Sequence, residues 1–131
     1  MSKTERIKKK PNMKNMSQKE ERSRRFDAFR RWLKAQTQLT ERSVGNAVAR
    51  AKRVERDLLG GINLDTEYAQ DRLARVLQAL EYSTEDAHNH REPPEGIVFT
   101  FAQEEPRYYE RVKAGLNDLH NAVKLYRDFC A

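Results

Sequence analysis

Along most of this chain the apolar residues return every three or four positions, a spacing that suits helices and leaves little room for a sheet. Phe26, Phe29, Trp32 and Leu33 form one such stripe, so a first helix is expected from about Gln18 to Gln36, with Arg22, Arg25, Arg30, Arg31 and Lys34 covering much of the rest. Val44, Val48, Ala51, Val54 and Leu58 form a second stripe between Thr40 and Gly60-Gly61. Threonine is a preferred N-cap, and glycine takes the left-handed stop at low cost. Asp65 is expected to cap a third helix that carries Tyr68, Ala69, Leu73, Val76, Leu77 and Leu80 inward to about Tyr82. Pro106 suits the first position of a last helix, whose stripe is Tyr109, Val112, Leu116, Leu119, Val123 and Tyr126, with Phe129 near the end. Gly115 lies beside that stripe, where it permits a close approach. The expected architecture is all-α: a single domain, a four-helix bundle over residues 18–131.

Two segments escape the pattern. Residues 1–17 are strongly basic, with Lys8, Lys9, Lys10 and Lys14, and only Ile7 and Met13 near their middle to bury. Such a stretch cannot offset its ordering entropy, so a disordered basic arm is expected. Ser17 with Glu20 then has the spacing of a capping box that opens the first helix. Residues 83–106 are polar and interrupted by Pro93-Pro94 and Gly96, a long connecting loop before the last helix. Within it Ile97, Val98, Phe99, Thr100 and Phe101 are β-prone but have no second strand, so an extended segment packing Phe99 or Phe101 on the bundle is expected. A connection of that length in a small domain is uncommon and points to a role.

Composition narrows the function classes. The 131 residues hold 37% hydrophobic and 35% charged residues and a net charge of +6, unevenly spread: residues 1–31 carry +8 and residues 32–131 carry −2. No apolar run approaches the ~18 residues of a membrane span, and the opening residues lack the apolar stretch of a secretory signal. With Cys130 the only cysteine, neither an intrachain disulfide nor a cysteine zinc cage is open to it. A reduced, cytoplasmic setting is the expectation.

The usual chemistry is hard to find in these residues. His88-Asn89-His90 spells the letters of a nuclease motif, but adjacent in a polar stretch before two prolines they lack its ββα frame. Glu85, Asp86 and Glu92 nearby make only a loose set of oxygen donors, so no metal or other cofactor is expected. Cys130 has no neighbouring His or basic group to activate it, and Gly60-Gly61 lacks the sequence of a phosphate-binding loop. The expectation is a non-enzyme. The second helix carries a different signal. Ser43, Asn46, Arg50 and Arg53 share a face, with Arg42 and Arg56 at its ends. Arg grips guanine edges or phosphates and Asn grips adenine, so these types suit a nucleic-acid surface. Arg24 and Arg25, where the basic arm runs into the first helix, extend it.

The runs Phe26-Asp-Ala-Phe29-Arg-Arg-Trp32-Leu33 and Leu39-Thr40-Glu-Arg-Ser43-Val44, with Ala114-Gly-Leu116-Asn-Asp-Leu119 and Leu125-Tyr126-Arg-Asp-Phe129 closing the chain, resemble the helical core-binding domain of phage-integrase-type tyrosine recombinases. Helical modules beside nuclease domains in restriction and defence proteins are similar. Over residues 24–130 the resemblance implies a module that clamps duplex DNA through basic helix faces, with Arg42, Arg50 and Arg53 at matching positions. Strand cleavage is not expected of these 131 residues, which include no catalytic domain, and the 83–106 insertion is longer and more acidic than a tight bundle connection needs. Two functions are therefore expected to compete. One is a nucleic-acid-binding accessory protein, with duplex DNA as partner. The other is a protein-interaction subunit or inhibitor from a phage, mobile element or defence system, docking on a larger protein assembly through Ile97, Val98, Phe99 and Phe101.

Overall fold

The computed structural model describes the backbone of residues 2–131 and the side chains from Gln18 onward. The side chains of the expected arm, Lys8, Lys9, Lys10 and Lys14 among them, and the Ser17 half of the capping box lie outside the described residues. Six α-helices follow one another: α1 (Ser2–Gln36), α2 (Glu41–Asp57), α3 (Leu64–Asp71), α4 (Ala74–Leu80), α5 (Thr84–His88) and α6 (Tyr108–Cys130), with a 3₁₀ turn at Leu58–Gly60 after α2. No strand occurs among the described residues.

The α1–α2 turn forms where the sequence places it. The Thr40 hydroxyl oxygen accepts the Ser43 backbone N–H at 3.1 Å, satisfying one of the donors that a helix start leaves orphaned. Phe26, Phe29 and Leu33 on α1 and Val44, Val48, Ala51 and Val54 on α2 then bury completely or nearly so. Both stripes meet α6, which touches every other helix. Its Val112, Leu116, Leu119, Val123 and Tyr126 form the centre of the core. Aromatic packing joins the two ends of the chain: the Phe29 ring lies 5.0 Å from Tyr126 and 5.4 Å from Phe129, and Trp32 lies 5.9 Å from Phe129.

The third expected helix is two. Asn63, not Asp65, is its cap, its side-chain oxygen accepting the Thr66 N–H at 2.9 Å. The helix breaks at Arg72 and Leu73, both left-handed at φ 58° and 68°. The break redirects the chain so that α3 buries Leu64 and α4 buries Val76, Leu77 and Leu80, while Ala69, expected inward, faces solvent. Four expected helices thus become six, α5 being the other addition. Ser83 and Asp86 build a reciprocal capping box there, with backbone-to-side-chain bonds of 3.0 and 2.8 Å. The last helix begins at Tyr108 rather than Pro106, and it is Tyr108, not Tyr109, that is buried.

The remainder of the connecting loop is a strap fastened to the end of α2. The Glu95 carbonyl accepts the Leu59 N–H at 2.9 Å, Ile97 is buried, and Arg53 donates to the Val98 carbonyl at 2.6 Å. Gly96, at φ 90°, passes so close that a Cβ there would lie 1.9 Å from the Asp57 carbonyl oxygen. Gly115 makes room for a ring rather than for a helix: its absent Cβ would lie 2.5 Å from Phe99. Phe99 and Phe101 pack half-buried on the bundle, in keeping with the extended segment expected there.

Gly96→Ala combines a disallowed backbone with a steric clash and is expected to cost more than about 2 kcal/mol. Gly60→Ala, at φ 81° in open space, meets the backbone penalty alone and is expected to cost about 1 kcal/mol. Urea denaturation midpoints of the two variants give the comparison.

Candidate nucleic-acid interface

The two long helices at the start of the chain concentrate its positive charge. Residues 18–57 hold twelve Lys/Arg against six Asp/Glu, whereas residues 58–131 hold eight against thirteen. Where each cation points decides which of them a polyanion can meet.

Arg25 is not a surface cation. Its side chain is 12% exposed and donates to both Glu55 carboxylate oxygens, at 3.2 and 3.0 Å, and to the Tyr126 hydroxyl at 2.9 Å. Its Nε lies 3.6 Å from an Asp65 oxygen, and the Tyr126 hydroxyl donates to the other Asp65 oxygen at 2.6 Å. Glu55 also accepts the Leu64 N–H at 2.9 Å and pairs with Arg22 at 3.0 Å. Four helices meet in this network. Burial by itself would lower the Arg25 pKa, but the bonds to Glu55 and Tyr126 outweigh it and the net shift is upward. The Tyr126 phenol is pushed up, first by burial and then by its bond to Asp65, with Arg25 pulling the other way. Burial, with Asp65 beside it, also pushes the Cys130 thiol up to about 12.

The other expected contacts divide. Arg24 is exposed, with Glu20 at 3.4 Å. Arg42 and Asn46 are exposed on α2. Ser43, Asn46 and Arg50 do come together, lining a shallow 190 Å³ groove against α6, where Arg50 reaches Asp118 at 3.6 Å. Arg53 leaves that set: besides holding Val98 it lies 5.1 Å over the Phe99 ring and 3.8 Å from Asp57. Arg56 makes a forked pair with Asp57 at 2.8 and 3.0 Å, which holds the Asp57 carboxyl below its usual range. Of the residues expected to meet a protein partner, Ile97 is buried and Phe99 and Phe101 pack on the core, so Val98 alone stands free.

The sequence pattern does not single out the seam between α1 and α2. A Cβ on Gly45 would lie 4.0 Å from Arg30 Nη1, so the Arg30 guanidinium reaches across from α1 to α2. Arg22 donates to the Lys52 carbonyl at 3.5 Å, Lys52 Nζ lies 5.7 Å from the Phe26 ring, and Lys34 pairs with Glu41 at 3.7 Å at the far end. Arg30, Arg31, Arg42 and Lys52 make no ion pair among the described residues. The glycine at position 45, three residues after Arg42 on α2, was the available signal.

Elsewhere a 610 Å³ hollow between α5 and α6 is lined by His88, His90, Tyr109, Lys113 and Asn117 among others. His90 stacks on Tyr109 at 4.4 Å, and Lys113 donates to the Thr84 hydroxyl at 2.8 Å. Among the described residues no group of three or more His, Cys, Asp or Glu could hold a metal ion. No helix there is long and apolar enough to cross a membrane. No family model matches the chain, and no curated protein or solved structure does either.

Arg25→Ala leaves the buried Glu55 with only Arg22 and the Leu64 N–H and is expected to cost about 2 to 3 kcal/mol, against less than ~0.5 for Arg42→Ala; chemical denaturation separates them. The protein is also expected to weaken in alkali. The Cys130 and Tyr126 pKa values are raised from 9.0 and 10.0, so the neutral forms stabilise the fold fully below pH 9 and lose that contribution as pH climbs toward 12. Melting temperature should fall over that window, and Cys130→Ala should move the onset upward toward pH 10.

Proposed function

We infer that the chain binds duplex DNA as a non-catalytic accessory protein, through the seam between α1 and α2. The observation that carries this reading is the separation of charge: an N-terminal helix pair with twice as many bases as acids, joined to helices in which acids predominate. Fields arranged in this way steer a polyanion to one face and repel it from the other. Arg30, Arg42 and Lys52 offer unpaired cations on that face, and each phosphate they neutralise releases counterions. The resemblance of residues 24–130 to recombinase core-binding domains supports the same reading, with Arg42 and Arg50 retained at the surface and Arg53 assigned to the strap.

Duplex is preferred over single strand because single-strand binders stack bases on exposed aromatic rings. Every Phe, Tyr and Trp among the described residues is buried or half-buried. Phe99, half-buried beside α2, is already covered by Arg53.

Fluorescence anisotropy with random duplex DNA, duplex RNA and single-stranded DNA at two salt concentrations tests the reading. Duplex DNA should bind tightest, with a log–log salt slope of about −0.9 per phosphate contacted. The triple substitution Arg30→Ala, Arg42→Ala, Lys52→Ala should make that slope shallower by about 2 to 3 without altering the melting temperature. An unchanged slope would remove the seam from the interface.

A further inference from the structure

Leu59 is held in two unfavourable conditions at once. It lies in the left-handed region at φ 55°, where a branched side chain is strained, and it is 44% exposed. A glycine would relieve the strain, and the two residues that follow it are glycines. On the strap that is bonded to this turn stands Val98, at 72% the most exposed large hydrophobic residue among those described. Hydrogen bonds fasten both segments to the end of α2. Leu59 N–H is bonded to the Glu95 carbonyl, Gly96 is pressed against Asp57, and Arg53 holds the Val98 carbonyl. Arg56, 65% exposed, stands one turn before Leu59 at the end of α2's cationic face. The acids around the tip are Asp57, paired with Arg53 and Arg56, and the exposed Glu95.

We propose that this tip is an apolar wedge, with Leu59 at its point, that inserts at a base step of the bound duplex. The inference rests on the duplex-binding reading and says how the site deforms its ligand. Proteins that approach DNA with cations and an exposed aliphatic side chain commonly unstack one step and bend the helix there. The fastening of the tip is what such a role requires, because a yielding side chain would fold back rather than pry stacked bases apart. The cost is lowest where stacking is already weak, so the wedge gives the protein a preference for flexible or mispaired steps without reading base edges.

The test compares two end-labelled duplexes of equal length, one fully paired and one with a central mismatch, by anisotropy and by end-to-end energy transfer. The wild-type chain should shorten the end-to-end distance of both and bind the mismatched duplex about tenfold more tightly. Leu59→Gly suits its backbone angle, so it should melt no lower than wild type while losing the preference and the bend. Val98→Ser, on the exposed side of the strap, should weaken both to a smaller extent. Equal wild-type affinity for the two duplexes, or a preference that survives Leu59→Gly, overturns the wedge and leaves duplex binding in place. A chain that binds neither duplex overturns the duplex reading itself, and the wedge with it.

Discussion

A single guanidinium ties the molecule together. Arg25 reaches Glu55 on α2, Asp65 on α3 and Tyr126 on α6, so three helices are fixed relative to α1 at one point. The arrangement closes on itself, because Tyr126 accepts from Arg25 and donates to Asp65. A buried ion pair of this kind adds little when compared with well-packed apolar groups, but removing one member is costly because its partners stay behind. Its contribution is to select one packing of the helices over its neighbours. Phe26 and Phe29, on the same side of α1, then have one way to meet the Tyr126 ring. Among the described residues no buried side-chain nitrogen or oxygen lacks a partner, so the network carries no unmet polar cost into the core.

The same chemistry in another place has another purpose. Arginines 25, 30, 42, 53 and 56 are alike in sequence, yet one is interior, two are joined to Asp57 and the strap, and two are left over. In the proposed reading the leftover cations define the DNA face, because a paired cation has already given up some of its attraction for phosphate. The paired ones position it. Arg53 fixes the strap, and the strap fixes the end of α2.

Local signals in the sequence proved reliable where a single side chain suffices. Thr40 caps α2 as its type and place require, and the stripes of α1, α2 and α6 face the core. The Ser83–Asp86 capping box follows the same spacing rule, with Asp in the place of Glu, and lies in a polar stretch that two prolines mark as loop. The break at Arg72–Leu73 contains neither glycine nor proline, so nothing local announces it; it follows from where Leu64 and Leu73 must both go. The site divides similarly. That α2 is basic is plain from its residues, but that Arg25 is interior depends on partners 30 and 101 positions away, which no local pattern encodes. Likewise the Phe99 seat needs Gly115, and the two are joined only by the fold.

That α6 lies against every other helix has a temporal meaning. A chain made from its N-terminus produces the stripes of α1 and α2 first, and the surface that covers both arrives last. Until then Phe26, Phe29 and the valines of α2 can cover only one another. The closing contact, Arg25 with Tyr126, spans 101 residues, so a large loop-closure entropy must be met before that contact rewards it. A helix pair without that cover exposes the apolar stripes of α1 and α2, and exposed surface of that kind favours aggregation.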